Sequence, residues 1–394
     1  MMGFGVAQTA VRIEPASVRE QARAHDVLTR VSRPRLTGSA GAAEVDRYLR
    51  GEFEHLGYEV RELPFSFSAF PGKWGVSLAG LVFAVFGMAS VGLAGAHHAG
   101  SALLLFLLGA VAIGLGARYT RAAIRRLPWG RSHGVNWLVT RPGTHPRYVM
   151  AAHRDSKSQP VPLLVRAGAI AGGLVVALAI LLFDLVAFFA SPRAHLGPIA
   201  WVLALATAAV GAVLLLCFVR DDSPGALDNG TGVAALVALA ARERDHGDIG
   251  FLLTDAEELG LAGASAACSE LEPVRGIINL DGLDDRGPFH VIDRHGYPRR
   301  GMAPHLVAAL LTAADQLGVR ARRRSLPSGL LVDHIPFVEA GFAAVTIMRG
   351  SARSLRRVHR PEDVPALLSG EGITATVTLV SAALGLLRAD AARA

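Results

Sequence analysis

Tyr148-Val149-Met150-Ala151-Ala152-His153-Arg154-Asp155 is a short apolar run that stops at an imidazole and a carboxylate. The same arrangement recurs twice further on. Phe251-Leu252-Leu253-Thr254 leads into Asp255-Ala256-Glu257-Glu258, and Ile277-Ile278-Asn279-Leu280 leads into Asp281. Continuous apolar runs of this length suit strands buried on both faces, as in a mostly parallel sheet covered by helices. Open α/β sheets gather ligands and catalytic groups at the carboxyl ends of their strands, and the polar residues stand at those ends. Helical patterns over 233–241, 304–317 and 374–388 lie between or after the runs. Residues 15–58 also read as helical, with Ser39 placed to cap a run that ends near Leu56-Gly57. The expected fold is α/β, a mixed and mostly parallel sheet with helices on both faces.

Around this frame the composition is uneven. The chain has 394 residues, 51% hydrophobic and 19% charged, against about 25% charged in ordinary soluble domains. Residues 74–117 contain no Asp, Glu, Lys or Arg, and residues 161–219 contain only Arg166, Asp184 and Arg193. The two stretches hold 103 residues and three charges; the other 291 residues are 24% charged, an ordinary soluble composition. A disordered chain, a purely soluble protein and a transporter made mostly of membrane helices are thereby excluded. The formal net charge of +7 is almost entirely arginine, with Lys73 and Lys157 the only lysines. Charges of both signs are interspersed, without the basic block that nucleic-acid binding needs. Cys217 and Cys268 imply no disulfide framework.

Each insertion is long enough for two spans of roughly 20 residues. The first reads as Trp74–Ala94 and Ser101–Ala117, and the second as Leu163–Phe183 and Gly197–Val219, turning at Ser191-Pro192-Arg193. Four spans in two hairpins return the chain each time to the side it left, so residues 1–73, 118–160 and 220–394 can assemble into one domain. Lys73, Arg118, Arg121, Arg125, Arg126, Lys157, Arg166 and Arg220 flank the soluble ends, whereas the far-side turns hold only Arg193. The positive-inside rule then places the soluble domain in the cytoplasm. Met1–Arg12 shows no signal-peptide pattern. Asp184 falls at the far end of its span and reads as an interfacial carboxylate. The expectation is an integral, multi-pass membrane protein with a cytoplasmic catalytic domain.

The candidate metal ligands are His153, Asp228, Glu258, Asp281 and His359. Zinc takes imidazole and carboxylate ligands, and a catalytic site keeps one position open for water. Five residues serve two such ions only if one carboxylate is shared. Two ions roughly 3.5–4 Å apart then polarise a carbonyl and acidify a common water. Glu257, beside Glu258, is free to act as general base on that water. Asp155, two residues past His153, is placed to hold the other imidazole nitrogen.

These stretches, in this order, resemble the zinc-dependent aminopeptidase family, which includes bacterial leucyl aminopeptidases and relatives of glutamate carboxypeptidase. Met150-Ala-Ala-His153-Arg-Asp155-Ser156 is similar to the family's first ligand motif. Ser223-Pro-Gly-Ala-Leu-Asp228-Asn229-Gly-Thr-Gly232 is similar to the loop with the bridging aspartate. Asp255-Ala-Glu257-Glu258-Leu-Gly260-Leu-Ala-Gly263 resembles the base-plus-ligand motif, and Ile278-Asn-Leu-Asp281 the next ligand. Asp333-His-Ile-Pro-Phe337 and Val358-His359-Arg-Pro-Glu-Asp363 resemble the late motifs, and Arg35-Leu-Thr-Gly38-Ser39 the entry segment. The resemblance implies that Asp228 bridges two zinc ions, with His153 and Asp281 on one and Glu258 and His359 on the other. It implies that Glu257 is the base, that Asp155 orients His153, and that the N-terminal residue of a peptide substrate is removed. Carboxylate-rich sites also accept cobalt or manganese.

Leu227, Arg154 and Arg360 depart from residues common at those positions in the family, which bears on substrate preference rather than on metal binding. Ser156-Lys157 and Asp333–Phe337 also resemble glutaminyl cyclases, which use one zinc to cyclise N-terminal glutamine as acyltransferases. A non-catalytic membrane scaffold is a further alternative, disfavoured because all five ligands and the base are present. Transport through the hairpins lacks paired intramembrane charges. Besides a peptide and the lipid bilayer no partner is indicated, and association into a homo-oligomer through the hairpins stays open. The second hairpin lies between His153 and Asp228, which brings the catalytic face or its rim near the bilayer.

Overall fold

The computed structural model describes residues 17–189, 197–296, 299, 301–327 and 329–393. The hairpin turn at Ser191-Pro192-Arg193 and the segment Met1–Arg12 lie outside the described residues. One eight-stranded sheet organises the residues outside the apolar insertions. Its strands are β1 (Glu59–Ser68), β2 (Arg131–Thr140), β3 (Tyr148–His153), β4 (Ile249–Thr254), β5 (Gly276–Leu283), β6 (Phe289–Arg294), β7 (Ala321–Ser325) and β8 (Ala344–Arg349). Their spatial order is β1-β2-β4-β3-β5-β8-β6-β7. The β4-β3-β5-β8 core is parallel, as is the β6/β7 pair, while β1/β2, β2/β4 and β6/β8 are antiparallel. Every residue of β3 and of β4 is buried, as the continuous apolar runs require.

Helices cover both faces. On one lie α1 (Val18–Val31), α2 (Ala40–His55), α7 (Thr231–Arg242), α9 (Pro304–Gln316) and α11 (Glu371–Arg393); on the other lie α8 (Ala262–Ala267) and α10 (His334–Glu339). The segment expected as one helical stretch from 15 to 58 is two helices. Pro34 cannot continue a helix, and the break at 32–39 carries Arg35 inward, where it is fully buried. Ser39 does cap α2, its Oγ accepting from the Ala42 amide at 3.2 Å, and Gly57 closes that end at φ +80°.

The two apolar insertions form α3 (Phe70–Gly95), α4 (Ala99–Arg126), α5 (Leu163–Phe189) and α6 (Gly197–Leu215). All four, and α11 as well, are long and apolar enough to cross a membrane. In α11 the most apolar window is 61% buried against 17–28% in the others, because α11 packs into the main soluble core. Helices α3 to α6 pack through small residues. Gly87 abuts Thr207, Gly109 abuts Phe86, and Gly211 abuts Ala84, the close approach that apolar helix bundles use. Asp184, expected as an interfacial carboxylate near the far end of its span, is fully buried between the helices, its Oδ2 accepting from Ser90 Oγ at 2.6 Å.

Candidate metal centre

The centre forms where β3, β4 and β5 end. His153 is the last residue of β3 and Asp281 lies near the end of β5. Glu257 and Glu258 follow β4 in a turn in which Ala256 and Leu261 have positive φ. Asp228 sits in an irregular π-type turn at 226–230 that precedes α7. His359 reaches in from the loop after β8 and itself adopts φ +62°. Such strained backbone at non-glycine residues persists where surrounding contacts fix it.

The five candidate ligands fall into two groups that share Asp228: His153, Asp228 and Asp281, and Asp228, Glu258 and His359, with candidate ligand atoms in each within 4.8 Å of one another. Asp228 Oδ1 lies 3.2 Å from His153 Nε2, and Oδ2 lies 3.1 Å from His359 Nε2. His359 Nε2 is also 3.2 Å from Glu258 Oε2. Lone pairs of imidazole and carboxylate repel at such distances unless a proton or a cation lies between them. His153 Nε2 and Glu258 Oε1 are buried with no hydrogen-bond partner, a costly state for polar atoms without a cation to meet them. The donor set of two imidazoles and three carboxylates fits two zinc-type ions.

Asp155 has a broader task than sequence spacing suggested. His153 Nδ1 lies 3.2 Å from the Asp155 carbonyl oxygen and 3.5 Å from its carboxylate. That carboxylate also accepts from the Glu257 and Glu258 amides at 3.2 and 3.1 Å. One side chain thus ties the β3 end to the turn after β4. Asp363 does the same for the bridging loop, accepting from the Leu227 and Asp228 amides at 2.9 and 3.1 Å. Asn229 joins that loop to β5, donating to the Leu280 carbonyl at 2.8 Å and accepting from the Gly282 amide at 3.3 Å.

Two residues of the centre carry no obvious sequence signal for their roles here. Lys157 Nζ lies 2.8 Å from Glu258 Oε2. Arg35, at the break between α1 and α2, donates to the carbonyls of Arg154 at 2.6 Å, Gly225 at 2.9 Å and Pro224. It therefore links the loop after His153 to the loop before Asp228. Hydrogen bonds from a charged group are worth about 1.5–3 kcal/mol each. Arg35→Met should accordingly loosen this link and weaken metal retention at least about tenfold in a chelator competition, while Arg35→Lys recovers part of it. Wild-type retention by Arg35→Met would show that the link does not position the ligands. Of the departures, Arg154 faces away from the ligands: it pairs with Asp46 at 2.6 Å and stacks over Trp137 at 4.6 Å. Arg360 donates to the Pro160 carbonyl at 3.0 Å, and Leu227 is buried in the main core.

The electrostatics follow from crowding carboxylates in a buried space. Burial and the adjacent Glu258, Asp333 and Asp281 carboxylates, opposed by His153, hold Glu257 well above the usual carboxylate range. Burial likewise raises Asp281 to about 7 and Asp333 to about 6. Glu258 goes the other way: burial would raise it, but Lys157 and His359 hold it at about 2. Burial lowers an imidazole, yet Glu257, Asp155 and Asp228 keep His153 well above its ordinary value. His359 is raised by Glu258 and Asp228 against the same burial and the opposing Lys157 charge. A negative, buried pocket in which protons sit on imidazoles is one that cations can claim.

Residues 209–384 match the model of peptidase family M28, a stretch that holds Asp228, Glu257, Glu258, Asp281 and His359 and begins after His153. No curated protein matches the chain. Among solved structures, an aminopeptidase from Aneurinibacillus sp. strain AM-1 superposes with a TM-score of 0.53 at 14% identity, over 92% of this chain and 93% of that one. A zinc aminopeptidase from Bacillus subtilis gives 0.53 at 16%, over 92% and 94%. A glutaminyl cyclase from Fimbriiglobus ruber gives 0.53 at 16%, over 94% and 97%. At such identities the likeness is one of fold, the mixed sheet with helices on both faces. By the match over residues 209–384 the chain is similar to peptidase family M28, in line with its motif-by-motif resemblance to the zinc-dependent aminopeptidases, and it shares the fold of the solved aminopeptidases.

Proposed function

We propose that this protein is a membrane-anchored exopeptidase that removes the N-terminal residue of peptides at a centre of two zinc ions. The observation that carries this reading is the placement of Asp228 between His153 and His359, one carboxylate oxygen toward each imidazole. His153 and Asp281 would hold one ion, Glu258 and His359 the other, and Asp228 both. Bound there, the ions supply Lewis acidity toward the scissile carbonyl and lower the pKa of water. Glu257 takes up the proton released as water attacks and passes it to the leaving amine. Its environment favours holding a proton, as a base for that step requires. Asp155 keeps the His153 ring and the Glu257–Glu258 turn in register through the contacts above.

Residues 1–73, 118–160 and 220–394 form the peptidase domain in this reading, and 74–117 and 161–219 form two membrane hairpins. In this reading the catalytic domain is cytoplasmic, supported by the basic residues at the helix roots through the positive-inside rule.

The deciding experiment offers aminoacyl arylamides beside peptides with N-terminal glutamine. Release of arylamine or of a free amino acid is expected. Formation of a pyroglutamyl peptide without hydrolysis would instead favour the cyclase reading, whose supporting observation is Lys157 on Glu258. Loss of neither substrate by metal-loaded protein would favour a scaffold.

Metal binding should be proton-linked with a fixed sign. In the metal-free protein His153, His359 and Asp281 all have raised pKa values, Asp281 about 7. Each retains a proton that an arriving ion must displace, so apparent affinity rises from pH 6 to pH 8 and binding releases protons. Zinc titration by calorimetry in buffers of different ionisation enthalpy reads this directly. Affinity independent of pH would contradict the assignment of these three residues as ligands.

A further inference from the structure

All four apolar helices leave the sheet at the edge where the candidate ligands cluster. Strand β1 is antiparallel to β2, which is antiparallel to β4, so β1 runs parallel to β3 and β4. Helix α3 therefore departs from the carboxyl edge, beyond Ser68, and α4 returns to the same edge to feed β2 at Arg131. Helix α5 follows β3 within ten residues, and α6 leads back toward Asp228.

The roots of these helices touch residues next to the ligands. Gly72 of α3 lies against the Leu259 backbone, so close that a Cβ there would come 2.5 Å from the Leu259 carbonyl oxygen. The Ile124 side chain of α4 lies against Gly260. Leu259 and Gly260 directly follow Glu258. On the other side, the Gln159 amide donates to the His359 carbonyl at 3.0 Å, and Gln159 Nε2 donates to the Cys217 carbonyl beyond α6 at 3.3 Å. Arg166 of α5 donates to Gln159 Oε1 at 2.6 Å. Exposed aromatic residues flank these helix roots in sequence: Trp74, stacked on Phe218, with Tyr119 and Trp129. Trp and Tyr beside basic residues at the ends of apolar helices mark the headgroup layer of a bilayer.

We propose that the centre acts on amino termini held at the bilayer surface, those of membrane-embedded or acylated polypeptides, in preference to peptides free in water. This rests on the reading of α3 to α6 as membrane spans and of the centre as a peptidase. A catalytic edge separated from the headgroup layer only by the helix roots meets chains that emerge from that layer. An anchored chain also gains effective concentration there that a free peptide lacks.

The test uses the full chain in lipid vesicles and three peptides with one N-terminal sequence. One is free, one carries a C-terminal acyl anchor through five residues, and one carries it through thirty Gly/Ser residues. Five extended residues reach about 17 Å, and thirty flexible ones average about 30 Å. The short-tethered peptide should be hydrolysed with kcat/KM at least about tenfold above the free one. Equal rates for these two, or hydrolysis of the long-tethered peptide alone, would overturn the proposal. If none of the three is hydrolysed by metal-loaded protein, the peptidase reading has failed, and orientation is decided separately. A fluorophore on Glu362→Cys, three residues after His359, should be quenched by brominated lipid. One on Asp245→Cys, just before the opposite end of β4, should not be, both in a Cys268→Ser background. The reverse pattern would overturn the bilayer-facing placement.

Discussion

Asp228→Asn should lose most of the bound zinc and reduce turnover by more than about a thousandfold, with the fold intact. Asp228 is the residue common to both groups of candidate ligands, one oxygen toward each imidazole. Asparagine has nearly the same shape, but one oxygen becomes an NH2 group that donates hydrogen bonds and does not ligate. The negative charge that both imidazoles face is lost at the same time. The loop itself should survive, because Asp363 holds it by the backbone amides of Leu227 and Asp228 rather than by the Asp228 side chain. Metal analysis, activity and thermal unfolding of the metal-free forms check the three parts. Full metal content in the variant would remove Asp228 from the centre of the assignment. Equal destabilisation of the metal-free protein would mean that the side chain is structural.

Glu257→Gln should give the complementary result, wild-type metal content with turnover reduced about 10²–10⁴-fold, the usual contribution of a positioned base. Glu257 belongs to neither ligand group, and its backbone amide is already held by Asp155, so the turn should keep its shape. Glutamine preserves the volume and removes the ability to take a proton. KM should change little if the residue acts mainly in the proton transfer. A variant that remains active would move the base elsewhere, with Asp333 the nearest alternative by the electrostatics of the site. A variant that loses metal would make Glu257 a ligand. Taken together, the two substitutions separate holding the ions from using them.

Much of this was legible because burial on both faces forces strands to be continuously apolar. The runs ending at His153, Thr254 and Leu280 stood out for that reason, and the sheet centre is built from them. The flanking strands did not. Glu59–Ser68 mixes exposed and buried positions and contains Pro64, which is tolerated at a sheet edge, so it carries no apolar run to read. Helix α4 runs past its expected span because Arg118–Arg126 continue it without a break, whereas α6 ends at Leu215, short of Val219; charge marks where a membrane surface would lie, not where a helix ends. The burial of Asp184 against Ser90 was not legible, because depth along a helix says nothing about which side faces the bundle. Arg35 and Lys157 act on carbonyls and a carboxylate remote in sequence, and only the folded chain brings those together.

The pairing of β1 with β2 has a consequence for how the molecule is made. Its register runs from Glu59 opposite Thr140 to Ser68 opposite Arg131, so the loop of this β-hairpin is the whole α3–α4 insertion. Strand β3 likewise finds β4 and β5 only after α5 and α6 have been synthesised. Non-local pairings of this kind form late, since the intervening chain must first be placed. The sheet can therefore close only after both insertions have been made, and His359, from the loop after β8, is the last candidate ligand to emerge. On the reading of α3 to α6 as membrane spans, a chain whose hairpins fail to insert would be left with its first ligand motif exposed and its sheet unfinished.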